Sequence, residues 1–149
     1  MEINTFNIIG IAMRTTNENG QSSKDIPALW NTFMAEGILE KIPNRISDDI
    51  YCMYTEYEKD HTKPYTTIIG CKVADLTNVP TGMVGKTIEA ANYTVHTVQG
   101  NIMEGIVYNE WLKIWDADLP RTFIADFEIY GEKAKDPANA TIDIFVGVQ

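Results

Sequence analysis

A glutamate near the C-terminus of this chain stands among aromatic residues in a stretch that alternates like a β-strand. The stretch is TFIADFEIY, residues 122–130. With a period of two, Asp126, Glu128 and Tyr130 share one face of the strand, and Phe127 lies on the other. A carboxylate in a partly dry, aromatic surface is unfavourable as a charge unless a cation or a hydrogen-bond donor reaches it. We therefore predict that Glu128 is the centre of a binding site.

The two faces of this strand are predicted to have different environments. The face expected to enter the core carries Phe123, Ala125, Phe127 and Ile129. Thr122 and Ile124 fall on the face of Glu128, where Asp126 is expected to be structural or to lie at the rim of the site.

Aromatic and acidic residues in an earlier strand supply further candidates. Tyr54 lies in the strand equivalent to that of Glu128 in the first half of the chain, and we predict that it forms the opposite wall. Glu56 has the same parity as Tyr54, so it is either a second acid of the site or a plain surface residue. Tyr51 and Tyr57 have the opposite parity and are predicted to pack in the core.

Tyr93 and two tryptophans complete the set of candidates. Tyr93 lies in a strand whose small residues around Ala90 suggest a bulge, and it either lines the site or packs in the core. Trp111 and Trp115 are one helical turn apart. One of them is expected to pack while the other faces the site, and we choose Trp111 for the site.

The elements that must position these residues follow the order strand, helix, strand, strand, twice over. Predicted strands cover residues 6–13, 50–57, 65–73, 86–98, 122–130 and 140–148, and predicted helices cover residues 28–37 and about 102–115. The two repeats span about 4–74 and 84–149. We predict one α+β domain of two pseudo-symmetric βαββ repeats, with helices on one face of an antiparallel sheet and a ligand groove between the halves.

The first predicted helix has start signals and an apolar stripe. Ser23 or Asp25 could cap its N-terminus, with Pro27 in the first turn. Its packed face is predicted to hold Leu29, Trp30, Phe33 and Met34.

Composition excludes several classes of function. The net charge is -9 and the apolar fraction 44%, which fits an acidic globular domain and argues against direct nucleic-acid binding. The two cysteines and two histidines lack metal-ligand spacing, so we expect neither a metal nor a cofactor. No stretch approaches the roughly 18 apolar residues of a membrane span, and the N-terminus lacks a signal-peptide pattern. We expect a cytoplasmic protein.

The element order, the helix that bears Trp111, and the FEIY strand that closes on IDIFV at residues 142–146 resemble a known superfamily. It is the bacterial effector-binding domain family, also called GyrI-like, which occurs at the C-termini of AraC-type and MerR-type transcription regulators and as standalone proteins. The resemblance covers nearly the whole chain. Because the chain begins directly at the first strand, we expect a standalone member that regulates transcription, if it does so, through another protein.

The resemblance implies a groove for small organic ligands, often flat, lipophilic cations. In several members a glutamate in the strand before the terminal hairpin turn contacts the cation, and the matching position is Glu128. A tryptophan of the second helix commonly lines the same groove, which points to Trp111 or Trp115. The expected partners are therefore a small lipophilic cation and a DNA-binding regulator protein, with the chain itself a monomer or homodimer.

Two alternatives come from other functional classes. Some GyrI-like proteins are reported as small-molecule hydrolases, and Glu128 could then act as a general base on water while Tyr130 or Tyr54 donates a proton. The other alternative is an acidic protein that inhibits a DNA-handling enzyme such as gyrase. We expect a binding protein rather than an enzyme, because the chain offers no Ser–His–Asp or Cys–His arrangement.

Overall fold

A computed structural model describes all residues of the chain, 1–149. It contains eight strands: β1 (Glu2–Ile3), β2 (Phe6–Thr15), β3 (Ile50–Thr55), β4 (Tyr65–Val73), β5 (Val84–Ile88), β6 (Ala91–Gly100), β7 (Arg121–Tyr130) and β8 (Ala140–Val148). The three α-helices are α1 (Ser22–Ala35), α2 (Ile38–Lys41) and α3 (Ile106–Asp116). The single strand predicted over residues 86–98 is two strands, because the chain breaks at Glu89 and Ala90.

All eight strands form one antiparallel sheet in the order β1-β6-β8-β7-β3-β4-β2-β5. The order divides into two four-stranded halves that meet where β3 pairs with β7. Each half borrows its edge strand from the other half of the chain, since β1 pairs with β6 and β5 pairs with β2. The chain therefore crosses between the halves twice, between β1 and β2 and between β5 and β6. The predicted α+β class with an antiparallel sheet is confirmed.

The sheet curls around an apolar cluster on one of its faces. The cluster takes buried residues from β2 through β8, among them Phe6, Met53, Phe127 and Phe145. The rings of Phe6 and Phe127 are 5.5 Å apart although β2 and β7 are separated by two strands. A flat sheet would hold those strands about 14 Å apart. The curl therefore gives the face that carries no helix a core of its own.

The helices α1 and α3 cover the other face, one over each half of the sheet. Leu29 and Phe33 of α1 pack with residues of β2, β3 and β4. Trp111 and Ile114 of α3 pack on Ile144 of β8 and its neighbour Val146. The space between the two helices lies over β3 and β7, the strands that join the halves.

The start and the packed face of α1 differ from the sequence prediction. The helix begins at Ser22, and no side chain caps it. Asp25 instead accepts hydrogen bonds from Thr15 and Gln21. Met34 was predicted to be packed but is 64% exposed. Met34 lies with Trp30 on a stripe of α1 beside the buried stripe. Of these two residues, Trp30 has its ring packed against that of Tyr130.

Two backbone irregularities explain why Tyr57 and Phe123 are not on the predicted faces. β3 ends at Thr55, and Glu56 has a φ of 52°, so the alternation stops before Tyr57. In β7, Phe123 has a φ of 54°, and the pairing jumps from Arg121↔Val148 to Asp126↔Val146. Positive φ costs a non-glycine residue roughly 1–3 kcal/mol. The rings of Tyr57 and Phe123 meet at 5.7 Å, outside the core that parity predicts.

None of the three α-helices has the length and hydrophobicity that a membrane-spanning helix needs. No group of three or more histidine, cysteine, aspartate or glutamate side chains is placed to hold a metal ion.

Candidate ligand-binding site

A cavity of about 360 Å³ opens between α1, α3 and the central strands. Its volume lies within the range of small-molecule sites, roughly 300–1,000 Å³. Eleven of its 19 lining residues are hydrophobic. The helices contribute Ile26, Pro27, Trp30, Val107, Trp111 and Trp115, and the central strands contribute Tyr54, Glu128 and Tyr130. The cavity is thus largely apolar and aromatic, with one carboxylate from its sheet side.

Glu128 is 1% exposed and accepts three side-chain hydrogen bonds. Tyr54 Oη donates to Oε2 at 2.8 Å, and Trp111 Nε1 donates to the same oxygen at 2.7 Å. Tyr130 Oη donates to Oε1 at 2.6 Å. No lysine or arginine forms a salt bridge with Glu128, since the protein's five salt bridges involve other residues. The carboxylate is satisfied by donors but has no cation as a partner.

Burial raises the pKa of Glu128 above its ordinary value of 4.5, and the three hydrogen bonds partly offset that rise. Burial likewise raises the pKa values of Tyr54 and Tyr130 well above 10, so both phenols remain protonated donors. The site therefore holds one ionisable carboxyl group surrounded by neutral hydrogen-bond donors.

The register of the central strands places Tyr54 and Glu128 on the helix face. Met53 and Phe127 are direct partners in the β3–β7 pair, and both point into the core of the curled sheet. Tyr54 and Glu128 each follow one residue later, so alternation directs them to the opposite face. The tyrosine and the glutamate thus occupy equivalent positions in the two halves.

A second polar group lines the cavity near the start of β7. Arg121 Nη2 donates to Asp126 Oδ2 at 2.8 Å, and both side chains are at least 95% buried. Asp126 also accepts from Tyr57 Oη at 2.5 Å and from the Gly147 backbone N–H at 2.8 Å. Between Arg121 and Asp126, β7 has more residues than the paired part of β8. This bulge lets the Arg121 side chain reach Asp126, five residues later in the same strand.

The wall nearest α1 is fixed by a hydrogen-bonded set around Asn17. Its Oδ1 accepts from Ser22 Oγ at 2.8 Å and from Tyr65 Oη at 2.7 Å. Its Nδ2 donates to the backbone carbonyl of His61 at 2.7 Å. This holds the His61 loop beside α3, where the imidazole stacks on Trp115 with ring centroids 5.2 Å apart and planes 5° apart.

The structure brings together four of the six residues predicted for the site: Glu128, Tyr54, Trp111 and Tyr130 all line the cavity. The prediction that only one of Trp111 and Trp115 faces the site differs from the structure, because both line it.

Tyr93 and Glu56 lie elsewhere. Tyr93 is 2% exposed on the face without helices, with its ring 5.2 Å from that of Phe127. Glu56 is exposed beyond the end of β3 and pairs with Lys86 at 3.2 Å. Neither residue lines the cavity, and we do not retain either in the site.

Several lining residues were not predicted from the sequence, notably Arg121, His61, Tyr57 and Tyr65. No periodic pattern marks His61, which lies in a turn, and the irregular start of β7 hides Arg121. Trp30 had a visible signal, since it neighbours the apolar stripe of α1, but that spacing is more typical of a core residue, and the sequence prediction placed Trp30 on the packed face.

Comparison with known proteins adds to this geometry. A family model described as Cass2, integron-associated effector binding protein, matches residues 1–148. YobU of Bacillus subtilis (strain 168), named as a candidate transcriptional regulator, is 28% identical over 144 residues, which cover 94% of this chain and 90% of YobU.

Solved structures show the same fold. The integron cassette protein VCH_CASS2, from the mobile metagenome of Vibrio cholerae, is 26% identical; the match covers 100% of this chain and 94% of that one, with a TM-score of 0.77. SAV2435, solved bound to tetraphenylphosphonium, is 16% identical and also has a TM-score of 0.77, with 100% and 92% of the two chains covered. At that identity the second likeness concerns the fold alone.

Proposed function

The chain belongs to the family of integron-associated effector binding proteins, and from this membership and the geometry of its cavity we propose that it binds lipophilic organic monocations, with Glu128 as their counter-ion. The effector is held between α1 and α3 over the central strands. The expected ligands are flat or propeller-shaped aromatic cations of the drug or dye type, and Glu128 is the residue that selects for their positive charge.

The observation that carries the proposal is a buried carboxylate with three neutral donors and no protein cation. Burial makes the charged form of Glu128 unfavourable, and the donors recover only part of that cost. A cation about 4 Å away would contribute on the order of 4 kcal/mol at an effective dielectric constant near 20. A ligand cation therefore supplies the interaction that the folded protein leaves unmade at Glu128.

The aromatic lining suits a cation whose charge is spread over an apolar body. Trp30, Tyr54, Trp111 and Trp115 all face the cavity. Each ring face adds a cation–π attraction of roughly 0.5–2 kcal/mol when water is excluded. These interactions depend weakly on ligand shape, so we expect several chemically different cations to bind in one cavity.

A protein of the same fold supports this assignment. The structure of SAV2435 bound to tetraphenylphosphonium shows that a protein of this fold accommodates a bulky aromatic cation. We extend that ligand class to this chain because its own cavity provides an aromatic lining and an uncompensated carboxylate.

We further propose that binding occurs without turnover. Three of the roughly four acceptor sites of the Glu128 carboxylate are taken by Tyr54, Trp111 and Tyr130. A general base needs a water molecule within hydrogen-bond reach, and Glu128 is only 1% exposed, so one acceptor site at most, on Oε1, is left for such a water.

The output of binding is proposed to pass to a DNA-binding regulator protein. The net charge of -9 opposes the phosphate contacts on which DNA binding depends. The name given to YobU supports a link to transcription.

The experiment compares two ions of nearly the same shape and opposite charge, tetraphenylphosphonium and tetraphenylborate, by tryptophan fluorescence. We expect saturable quenching by the cation, with binding at least about tenfold tighter than that of the anion, and no chemical change of aromatic ester or amide cations on prolonged incubation. Equal affinity for the two ions would contradict the counter-ion role, and product formation that requires Glu128 would favour the hydrolase.

A further inference from the structure

Besides Glu128, the cavity contains a polar side chain whose hydrogen-bonding capacity the protein uses only in part. Arg121 lines the cavity, and its side chain is 5% exposed. Nη2 donates to Asp126, but Nε and Nη1 have no hydrogen-bond partner in the protein. A guanidinium group carries five N–H donors and no acceptor, and buried donors are normally paired. A ligand acceptor would satisfy the unpaired nitrogens.

Aromatic rings restrict the directions from which that acceptor can come. The Arg121 Cζ lies 4.3 Å from the centroid of the Phe123 ring and 5.8 Å from that of Trp111. The N–H bonds of a guanidinium lie in its plane. A partner must therefore approach along an edge of the group, and the cavity is the space that Arg121 adjoins.

His61 adds a second unpaired nitrogen at the same end of the cavity. Its Nδ1 is buried without a partner, and its ring contacts Phe123, which also covers Arg121. Burial, and then the nearby charge of Arg121, lower the pKa of His61, so the imidazole is neutral at pH 7. In one tautomer its Nδ1 is a donor, and the same ligand acceptor could receive it.

The charges at this end balance, which determines what kind of acceptor is favoured. Arg121 and Asp126 have opposite charges, and Asp126 is further stabilised by Tyr57 and the Gly147 backbone. The pair therefore offers N–H donors without a net positive charge that would attract an anion. Glu128 carries the one charge of the cavity that the protein leaves without an ionic partner.

We propose that the N–H donors of Arg121 and His61 form a subsite for a hydrogen-bond acceptor of the ligand, which we call the acceptor subsite. The preferred effector is then an aromatic monocation that also carries an uncharged oxygen acceptor, such as an ester or amide carbonyl. Trp111 connects the two ends of the cavity. Its Nε1 donates to Glu128 while its ring lies beside Arg121, so one indole adjoins both the carboxylate that would meet the cationic centre and the guanidinium that would meet the acceptor. This inference rests on the proposed cation site and adds a second requirement to it.

The test uses one phosphonium scaffold with and without the acceptor. The parent probe is benzyltriphenylphosphonium. The derivatives carry a methyl ester at the ortho, meta or para position of the benzyl ring, which places the carbonyl at different distances from the phosphonium centre. We expect at least one ester to bind roughly three- to tenfold tighter than the parent, which is the net effect of one or two hydrogen bonds. We expect the corresponding carboxylate to bind more weakly than that ester.

Variants then attribute the gain to the subsite. Arg121→Lys keeps a cation opposite Asp126, and in this variant the ratio of the parent's dissociation constant to the ester's should fall toward one. His61→Phe keeps the stacked ring, and in this variant the same ratio should fall only in part. Glu56→Gln is the matched control outside the cavity and should keep the wild-type ratio. A wild-type ratio retained in Arg121→Lys would overturn the assignment.

The outcomes separate the two proposals. If parent and esters all fail to bind, the proposed cation site is wrong. If the parent binds and no ester isomer binds more tightly, the cation site stands and the acceptor subsite is wrong. If the carboxylate binds more tightly than every ester, the subsite selects an anion, which contradicts the uncharged acceptor.

Discussion

Trp111 of α3 and Glu128 of β7 are joined by a hydrogen bond of 2.7 Å from the indole Nε1 to Oε2, which links the second helix to the strand that carries the site. The tryptophan is 7% exposed and the glutamate 1%. Because the bond crosses from helix to sheet, the position of α3 and the environment of the carboxylate depend on each other. The first prediction tests this relationship.

Trp111→Phe removes the indole donor while keeping an aromatic ring. We expect it to lower the free energy of unfolding by about 1–3 kcal/mol, because a buried carboxylate loses a partner. Trp115→Phe is the control, since Trp115 is half-buried and makes no side-chain hydrogen bond, and its cost should stay below about 1 kcal/mol. Urea denaturation measures both, and equal costs would show that the hydrogen bond contributes little.

The pH dependence of stability should show that burial makes the charged form of Glu128 unfavourable. Its pKa in the folded protein is raised by burial above the ordinary 4.5. The native state therefore binds this proton more tightly than the unfolded state does, and the associated stability is present below about pH 4.5 and is lost as pH rises through the folded-state pKa. Glu128→Gln lacks this titration, and the other groups cancel in the comparison.

The expected result is that the Tm of Glu128→Gln minus that of the wild type increases between about pH 4 and about pH 7. Scanning calorimetry at several pH values measures the difference. A difference that stays constant or decreases over this interval would mean that burial does not raise the pKa of Glu128.

Much of this site follows from periodicity in the sequence. Period-two alternation correctly separated Glu128 from Phe127 and Tyr54 from Tyr51, since Phe127 and Tyr51 enter the core of the curled sheet. The helical period does not distinguish Trp111 from Trp115, one turn away, and both line the cavity. Tyr93 could not be assigned in this way, because the sheet curls and buries apolar residues on both faces. Alternation identifies which residues share a face, but it does not say which face carries the helices.

The rest of the site depends on backbone irregularities, which a period-two sequence pattern does not reveal. A positive φ at Glu56 turns Tyr57 away from the face of Tyr51, and another at Phe123 accompanies the extra residues of β7. Those extra residues bring Arg121 back onto Asp126. The end of the cavity that Arg121 lines thus exists because regular structure is interrupted, and a sequence pattern built on regular strands has no signal for it.

The sequence allows Glu56 to be either a second acid of the site or a plain surface residue, and its observed position predicts that it takes no part in binding. It lies outside the cavity, exposed, with Lys86 as its partner at 3.2 Å. Exposed ion pairs contribute little, with a median of about 0–1 kcal/mol. We expect Glu56→Gln to change the affinity for tetraphenylphosphonium by less than about twofold, as measured by fluorescence titration. A loss comparable to that of a Glu128 substitution would place Glu56 in the site after all.

The first half of the sheet depends on a close contact between two glycines. Gly10 of β2 and Gly70 of β4 are direct partners, and a Cβ on Gly10 would lie 2.2 Å from the carbonyl oxygen of Ile69. Gly10→Ala should cost about 3 kcal/mol or more, because backbone must move to admit the methyl group.

The control for this substitution is Gly131→Ala. The atoms nearest to a Cβ there would be those of the Asp49 carboxylate, the first at 2.8 Å, and a side chain can move aside. We expect it to cost less than about 1 kcal/mol in chemical denaturation. If both variants were equally stable, the β2–β4 contact would have to be looser than the structure shows.

The central claim is that Glu128 is the counter-ion of a bound organic cation, and titration of wild type and Glu128→Gln with tetraphenylphosphonium tests it most directly. Trp30, Trp111 and Trp115 all line the cavity, so intrinsic fluorescence reports on occupancy. The account predicts saturable quenching in the wild type and an affinity lower by roughly 10- to 100-fold in the folded Glu128→Gln variant. Affinities equal within about twofold would contradict it.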